Sequence, residues 1–475
     1  MIWKTAWKNV WRNRVRSIVV ISSVAVGILA GVFTVAMMAG MINQRVDAAL
    51  NEEISHIQIT AEDFRTNFDP SLIIKDADKI ISEIQQVAGV QGVCSRIILS
   101  GMANTATKST GVQIVGIDTE NEKKVFDLYN KIIPGTGDYF ETESKFNLAL
   151  VGQDLAKDLN IIRYSIDTTV LRELKEGGVP EEVLTRLSVI SGERFKSEKI
   201  FFKKLKSMFS KREEAKYGQI IKEKAWSYRK GSRLILTFLD KDNNQVGAVY
   251  RVAGLYDIKN SMFEKRTVFV KNDGLKQLAG ISEDSFHNLI VKIDNIDNTN
   301  EITANLKRKL ADYEVLSWKD IQPDLAMMTE MVHVYYGVFM IVILAALAFG
   351  IVNTMLMVVL ERTKEIGMLT AIGMNKKKVF SMIMLESVFM SMIGGVIGMI
   401  ISECVILLTS RGGINFSQYA EGFEAMGYSA HIYPQIEPLF FLEVVVLIII
   451  TGILSSIYPA RKALKLDPAD AIRTE

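Results

Sequence analysis

The chain has 475 residues, which exceeds the usual size of one hydrophobic core, so more than one structural unit is expected. Its formal net charge is only +2, which argues against a protein that binds nucleic acid. The two cysteines, Cys94 and Cys404, lie far apart without a CxxC motif or a His cluster, so neither a disulfide framework nor a structural zinc site is expected.

Apolar residues are concentrated near the two ends of the chain. Residues 17–42 form an uncharged run of 26, which as a helix exceeds the roughly 30 Å thickness of the hydrocarbon layer. A cleaved signal peptide is the alternative, but its apolar region would be only about 7 to 15 residues long. Further spans are expected at 337–360, 379–409 and 438–458. The sequence therefore predicts an α-helical membrane protein with four transmembrane helices.

Lys and Arg residues cluster in three short flanks, at 1–16, 361–378 and 459–475. Because positively charged flanks stay in the cytoplasm, both termini and the 361–378 segment are expected on that side of a bacterial inner membrane. The loop 410–437 carries only one basic residue, Arg411, and is expected on the opposite side.

The segment 43–336 is then a large extracytoplasmic domain, either periplasmic or extracellular. Its alternating and periodic patterns predict a mixed α/β (α+β) fold. Strands are expected at 54–60, 111–117, 234–239, 249–255 and 267–270, and helices at 76–87 and 300–313. Residues from about 167 to 230 are charged and favour helix, so we interpret them as a helical insertion, with partial disorder as the alternative.

The N-terminal segment 1–16 has two kinds of side chain at helical spacing. The aromatic set is Trp3, Trp7 and Trp11, and the cationic set is Lys4, Lys8 and Arg12. This pattern is typical of an amphipathic helix in the cytoplasmic membrane interface, in contact with membrane lipids. The alternative is that the segment is simply the end of the first span.

Small residues recur four apart within the apolar runs. These pairs are Gly27 and Gly31, Ala36 and Gly40, and Gly394 and Gly398. Such pairs allow close approach of helices, either inside one subunit or at a seam between two. Three acidic residues, Glu386, Glu403 and Glu443, lie in or near the spans, where internal pairing or reach to the interface is expected rather than a proton relay.

Motifs of enzymes are missing from the sequence. It contains no GxxxxGK[ST], HExxH or GxSxG motif, and its four histidines are scattered. We therefore expect no catalytic residue, no metal ligand and no bound cofactor in this chain.

The segment 361–378 mixes charges with apolar residues, which are Ile366, Met368, Leu369 and Ile372. Its apolar face needs a partner. A coupling helix docked on a cytoplasmic protein and a solvated turn with extended lysines are both consistent with the pattern.

Three pieces of the chain resemble the FtsX-like/MacB-like permeases of ABC transporters, and among them the lipoprotein-release permeases most. The pieces are WKNVWRNRVRS, then ERTKEIGMLTAIG with Lys376, Lys377, Lys378 and Glu386 after it, and finally YPARKALKLDPADAIRTE. The resemblance assigns contact with the ATPase to Glu365, Ile366, Gly367, Leu369, Ala371 and Gly373. The tail residues that match are Pro459, Ala460, Ala463, Leu466, Pro468 and Ala469.

The resemblance also implies partners and a mechanism. ATP and Mg would bind to a cytoplasmic ABC ATPase dimer, and a second copy or a homologous permease would complete the membrane part. Mechanotransmission would then drive lipoprotein release toward a periplasmic lipoprotein acceptor. For Met37, Met38, Met41 and Ile42, contact with acyl chains is one reading and core packing the other. The alternative functions are efflux of drugs or peptides and non-transporting activation of a cell-wall hydrolase.

Overall fold

The computed structural model describes residues 2–140, 144–195, 198–228, 230–258 and 260–464. The chain divides into two compact units. The helical unit comprises Met1–Asn43, Met327–Phe416 and His431–Glu475, and the α/β unit comprises Gln44–Ala326 and Ser417–Ala430.

Two helices open the chain. The short helix α1 (Ile2–Arg12) is followed after Asn13 by the long helix α2 (Arg14–Ala48). A π-helical turn at Ala49–Glu53 continues α2. The predicted interfacial segment 1–16 thus contains a short helix that ends at Arg12, and its last residues already belong to α2.

The strands of the α/β unit differ in length. They are β1 (Ile57–Thr60), β2 (Val90–Asn104), β3 (Ser109–Ile117), β4 (Leu148–Gly152), β5 (Ile162–Ser165), β6 (Arg194–Phe195), β7 (Trp226–Tyr228), β8 (Arg233–Leu239), β9 (Gln245–Tyr256), β10 (Thr267–Lys271), β11 (Asn288–Ile293) and β12 (Glu314–Ser317). Two of them, β2 and β9, are longer than ten residues, and the others are shorter.

Helices of this unit lie between the strands. They are α3 (Phe64–Asn67), α4 (Ala77–Gln85), α5 (Thr119–Val125), α6 (Gln153–Asp158), α7 (Thr168–Glu176), α8 (Glu181–Ser188), α9 (Glu198–Met208), α10 (Lys211–Ala225), α11 (Ser261–Arg266), α12 (Asn272–Ala279), α13 (Thr299–Lys309) and α14 (Trp318–Ile321), and short 3-10 turns occur at Leu128–Lys131 and Ile296–Asn298.

Nine strands form one mixed sheet in the order β12-β1-β11-β2-β3-β10-β4-β9-β8. The last residues of β2 also pair with β8, from Gly101 opposite Phe238 to Asn104 opposite Ile235. Strands β2, β3, β10, β4, β9 and β8 therefore close into a six-stranded ring. Two of its pairs, β3 with β10 and β4 with β9, are parallel, and the others are antiparallel.

The burial of the strands follows their position. Every residue of β1 is buried, as expected for a strand covered on both faces. In contrast, β8 alternates between the buried residues Leu234, Leu236 and Phe238 and residues that are more exposed. The core of the α/β unit therefore lies against several faces of a curved sheet.

The predicted insertion at about 167–230 contains the four helices α7, α8, α9 and α10. It also contributes strands to a small antiparallel sheet in the order β6-β5-β7. Phe201 of α9 packs on this sheet, with its ring stacked 5.3 Å from Tyr164 and tilted 5.3 Å from Phe195. The buried residues of the insertion, Phe201 among them, therefore belong to the same hydrophobic cluster as the main sheet.

The remaining elements complete the chain. They are α15 (Pro323–Glu361), α16 (Thr363–Ala371), α17 (Lys376–Gly412), β13 (Ile414–Asn415), α18 (Ala420–Ala425), β14 (His431–Ile432) and α19 (Pro438–Leu464). Within the described residues, four helices are long and apolar enough to cross a membrane: α2 with its π-helical turn, α15, α17 and α19. The predicted fold class, four such helices with a large mixed α/β domain, is confirmed.

Glycines set the packing of the helical unit. A Cβ atom on Gly394 or Gly398 of α17 would lie 2.7 Å from a backbone oxygen of α2, so only glycine permits this approach. Gly27 and Gly31 of α2 face Leu347 and Met340 of α15. These predicted small-residue pairs therefore pack against neighbours within the same chain.

The C-terminal match is described only in part. Pro459, Ala460 and Ala463 are buried in α19. Leu466, Pro468 and Ala469 lie outside the described residues.

Candidate functional site

Charged side chains from five helices meet at one end of the helical unit. Arg362 lies at the junction between α15 and α16, and its guanidinium donates hydrogen bonds to both carboxylate oxygens of Glu386 in α17, at 3.1 and 3.0 Å. The same guanidinium donates to Glu365 of α16 at 3.0 Å. Arg362 therefore joins three helices.

Glu386 is the buried centre of this network. Its side chain is only 4% exposed, and it also accepts a hydrogen bond of 2.5 Å from Asn9 of α1. A buried carboxylate is costly unless it is paired and hydrogen-bonded, and here Arg362 and Asn9 supply both. Of the two expectations for this residue, internal pairing and reach to the interface, the structure shows internal pairing. The other two acidic residues differ, since Glu443 is exposed and Glu403 is half-buried.

Two further ion pairs extend the network to the surface. Arg12 of α1 lies 2.6 Å from Glu365, and Arg16 of α2 pairs with Glu361 at the end of α15. Desolvation raises the pKa of Glu365, but hydrogen bonds and charge from Arg12 and Arg362 outweigh this effect and lower it below its usual value. Glu365 is therefore ionised at neutral pH.

The network borders a pocket of about 300 Å³. Its charged lining consists of Arg12, Arg16, Arg362, Glu361, Glu365 and Glu386. The two signs are balanced and largely paired with each other, so the pocket does not resemble an anion site or a catalytic centre. These ion pairs can hold the ends of the five helices in fixed positions relative to one another.

The predicted ATPase-contact residues do not form one surface. Ile366 and Gly367 are buried in the helical unit and Leu369 is half-buried, whereas Glu365 and Ala371 are exposed. The buried residues are therefore placed to anchor α16 rather than to contact another protein.

Gly373 is exposed and ends the segment. Its φ of +94° lies in the left-handed region that favours glycine, and its N–H bonds back to the carbonyl of Thr370.

Two residues that the family resemblance left out are the most exposed apolar groups of the segment. Met368 is 56% and Ile372 is 79% exposed. They are four residues apart, a spacing that places side chains on one face of a helix. That spacing is the feature of the sequence from which this exposed face could have been predicted. Because Ile366 is buried and Met368 and Ile372 are exposed, the two exposed residues mark the free face of α16.

Helix α1 packs against α17. The rings of Trp3 and Trp7 lie edge-on to Phe389, with centroids 5.6 and 5.7 Å apart. Ala6 and Val10 are buried on the same side. The predicted interface residues Trp3, Trp7, Trp11, Lys4, Lys8 and Arg12 are all exposed to a large degree. One face of α1 is thus docked, and the other is free.

The residues considered for acyl-chain contact lie in α2. Met37, Met38 and Met41 are half-buried, and Ile42 is buried at 7% exposure. Ile42 therefore packs in the core, and of these four residues only the three methionines have surface available for contact with acyl chains.

No group of three or more His, Cys, Asp or Glu residues suited to a metal ion occurs in the described part of the chain. The site is therefore characterised by ion pairs and apolar contacts alone.

Part of the chain matches a family of known proteins. Residues 337–468 match the family described as "FtsX-like permease C-terminal", which confirms the resemblance read from the sequence. An uncharacterised ABC transporter permease of Methanocaldococcus jannaschii is 25% identical over 237 residues, which are 48% of this chain and 55% of the relative. YknZ of Bacillus subtilis, also named as an uncharacterised ABC transporter permease, is 24% identical over 48% of this chain and 54% of its own.

The macrolide export ATP-binding/permease protein MacB of Chlorobium luteolum is 28% identical over 48% of this chain and 29% of its own. The chain thus spans about half the length of the first two relatives, and less of MacB.

Two solved structures also match. The extracellular domain of YknZ from Gram-positive bacteria aligns with a TM-score of 0.29 at 13% identity, over 55% of this chain and 98% of its own. The periplasmic region of MacB from Actinobacillus actinomycetemcomitans aligns with a TM-score of 0.28 at 13% identity, over 61% and 95%. With scores this low, the fold description rests on the strands and helices of the chain itself.

Proposed function

We propose that this chain, whose residues 337–468 form an FtsX-like permease C-terminal domain, is the membrane permease of an ABC transporter that works by mechanotransmission. The observation that carries the proposal is the exposed apolar face of α16 next to an ionic network that joins five helices. A protein docked on that face would act on all five helices at once.

In this proposal a separate ATPase dimer binds ATP and Mg and docks on Met368 and Ile372, with Glu365 at the rim. Movement of α16 passes through Arg362 to α15 and α17. It also passes through Arg12 to α1. Because buried ion pairs and close glycine contacts resist independent movement of the helices, displacement of α16 is transmitted rather than absorbed.

The proposed setting is a bacterial inner membrane. Both termini and α16 face the cytoplasm, and the α/β unit lies outside it, as the distribution of Lys and Arg predicts. A second copy of the chain or a homologous permease completes the complex, and the free face of α1 contacts lipid headgroups.

For the substrate, two proposals remain. Lipoprotein release to a periplasmic acceptor follows from the sequence resemblance. Export of small molecules is favoured by the names of relatives, which include macrolide export and pyoverdine export proteins. Activation of a cell-wall hydrolase has no specific support in the contacts described above.

Affinity purification of the full chain tests the proposed docking face. The variant M368A/I372A removes two apolar side chains that are 56% and 79% exposed, and burial of that exposed part is worth about 1 to 2 kcal/mol each, so the ATPase should bind at least about 30-fold more weakly. The matched control is V396A/I400A, which truncates two exposed apolar side chains at the same spacing on α17.

We expect wild type and control to copurify an ATPase, and M368A/I372A to lose it while still inserting in the membrane. Absence of any ATPase with wild type would refute the permease proposal itself. Equal recovery with all three proteins would refute only the docking face. Copurified lipoprotein or small-molecule resistance would then distinguish the two substrates.

A further inference from the structure

The inserted helices of the α/β unit carry an excess of positive charge. Between residues 198 and 216 there are seven basic residues and three acidic ones. The fold explains how this charge is presented. Phe201 and Leu205 of α9 are buried in the hydrophobic core of the α/β unit, so the opposite side of the helix faces outward.

Two acidic residues in the first turn of α10 are already engaged. Glu213 pairs with Arg186 and accepts hydrogen bonds from Ser210, and Glu214 pairs with Lys206. These carboxylates therefore neutralise cations within the fold and do not balance the outer side of α9.

What remains on that side is a cationic surface with one aliphatic residue. Lys199, Lys203 and Lys204 are exposed, and among the described residues no ion-pair partner is found for them. Ile200 lies between them on the helix and is 56% exposed. We call these four residues the basic face of α9.

We propose that the basic face of α9 binds the surface of an anionic phospholipid bilayer. Lysine side chains are long and flexible, so they suit a diffuse layer of phosphate groups. Ile200 is placed to enter the headgroup boundary, as apolar residues of interfacial helices do. A protein partner would instead be expected to use aromatic or arginine anchors in a pocket, and this flat face offers neither.

The inference is independent of the transport function. It concerns a surface that the family match at residues 337–468 does not include. It gives the insertion a role as a lipid-binding element of the α/β unit.

Flotation of the full chain with vesicles tests it. The protein is held in nanodiscs of neutral lipid and mixed with phosphatidylcholine vesicles with or without phosphatidylglycerol. We expect binding only to the anionic vesicles, with a strong decrease as salt is raised. The variant K199Q/K203Q/K204Q should bind about fivefold more weakly per lysine removed.

Matched variants separate the basic face from net charge and from misfolding. K79Q/K307Q/K309Q removes the same charge from exposed sites elsewhere on the α/β unit and should bind as wild type. K199R/K203R/K204R should also bind as wild type, because the charge is retained. Equal binding of wild type to neutral and anionic vesicles would overturn the proposal. The proposal would also be overturned if the two glutamine variants lost vesicle binding equally, or if K199Q/K203Q/K204Q bound as strongly as wild type. Capture of an acidic protein without vesicle binding would count against it as well.

Discussion

His287 is held as a neutral imidazole between two backbone groups. The N–H of Ile98 donates to its Nδ1 atom at 3.0 Å, so the proton resides on Nε2, which lies 3.0 Å from the carbonyl oxygen of Pro70. The ring also stacks on Phe64 at 4.9 Å. Burial lowers the pKa of His287 to about 4, because the charged form would lose its hydration.

The pH dependence of stability follows from this pKa. Because the pKa is lower in the folded state than in the unfolded state, the stabilising contribution is full above about pH 6.5 and is lost as the pH falls through about 4. The loss amounts to roughly 3 kcal/mol. Thermal unfolding of wild type and H287Q between pH 7 and pH 3.5 should show a smaller acid loss in the variant. Parallel curves would contradict the prediction.

Single residues also show where sequence analysis reached its limit. The sequence predicted that Glu386 would be paired or would reach the interface, since an isolated carboxylate in an apolar helix is costly. The sequence did not predict Arg362 and Asn9 as its partners. Asn9 lies 377 residues from Glu386, and no local sequence pattern links the two residues. Ile366 and Met368 are both apolar, so the sequence does not distinguish them. Only the packing of α16 shows that Ile366 is buried and that Met368 lies on the free face.

At the scale of elements, the contact between α2 and α17 depends on a missing side chain. A Cβ atom on Gly398 would lie 2.7 Å from the carbonyl oxygen of Ala25, which is backbone and cannot turn away. Gly398→Ala should therefore lower stability by about 1 to 3 kcal/mol.

Gly350 of α15 provides the control for that substitution, because no atom lies within 4 Å of the position of its Cβ. Gly350→Ala should be neutral or slightly stabilising, since alanine favours helix. Thermal unfolding in detergent measures both variants. An equal effect of the two would mean that the α2 and α17 contact is not close.

The connection between α1 and α16 is testable by exchanging charges. Both side chains of the Arg12 and Glu365 pair are about half exposed, at 50% and 47%, so reversal should hardly change stability. R12E and E365R should each reduce stimulation of the partner ATPase, because α1 is then repelled from α16.

The double variant R12E/E365R restores opposite charges between positions 12 and 365, but its new arginine still faces Arg362, so it should recover only part of that stimulation. ATPase activity of the purified complex gives the readout, with membrane insertion as the control. If the double variant stimulates the ATPase no better than the less active of the two single variants, each residue would instead contact the ATPase directly.

Among the strands, some were predicted from the sequence and others were not. The runs at 111–117, 234–239 and 267–270 were predicted and are confirmed as β3, β8 and β10. The longest strand, β2, was missed because Arg96 interrupts its apolar pattern. Arg96 is buried against Glu122 and lies 3.8 Å from the centre of the Phe126 ring, partners that the strand's own sequence does not reveal.

For the whole molecule, the central prediction is orientation. In a C404S background, where the remaining Cys94 is buried, single cysteines at Lys108 and Lys377 report the two sides. A membrane-impermeant maleimide applied to spheroplasts should label K108C and leave K377C unlabelled until the membrane is permeabilised. The reverse pattern would overturn the orientation derived from the basic flanks.

The division into a helical and an α/β unit was readable from hydropathy, because membrane spans are long and uncharged. The assignment of residues 417–430 to the α/β unit was not, since they were expected only as part of an outer loop. In the structure a Cβ atom on Gly427 would lie 2.9 Å from Nε of Arg45, a contact between segments far apart in the sequence.

The closed ring of the α/β unit has a consequence for biosynthesis. Strand β3 pairs with β10, and β1 pairs with β11 and β12, so the first strands made must wait for the last. Loop closure over such distances is slow, and unpaired strand edges invite aggregation meanwhile. In the proposed orientation, β1 emerges unpaired and the hairpin of β2 and β3 emerges with open edges, and assembly is completed only when residues 314–317 arrive. Export of this domain should depend on a holding chaperone on the far side of the membrane.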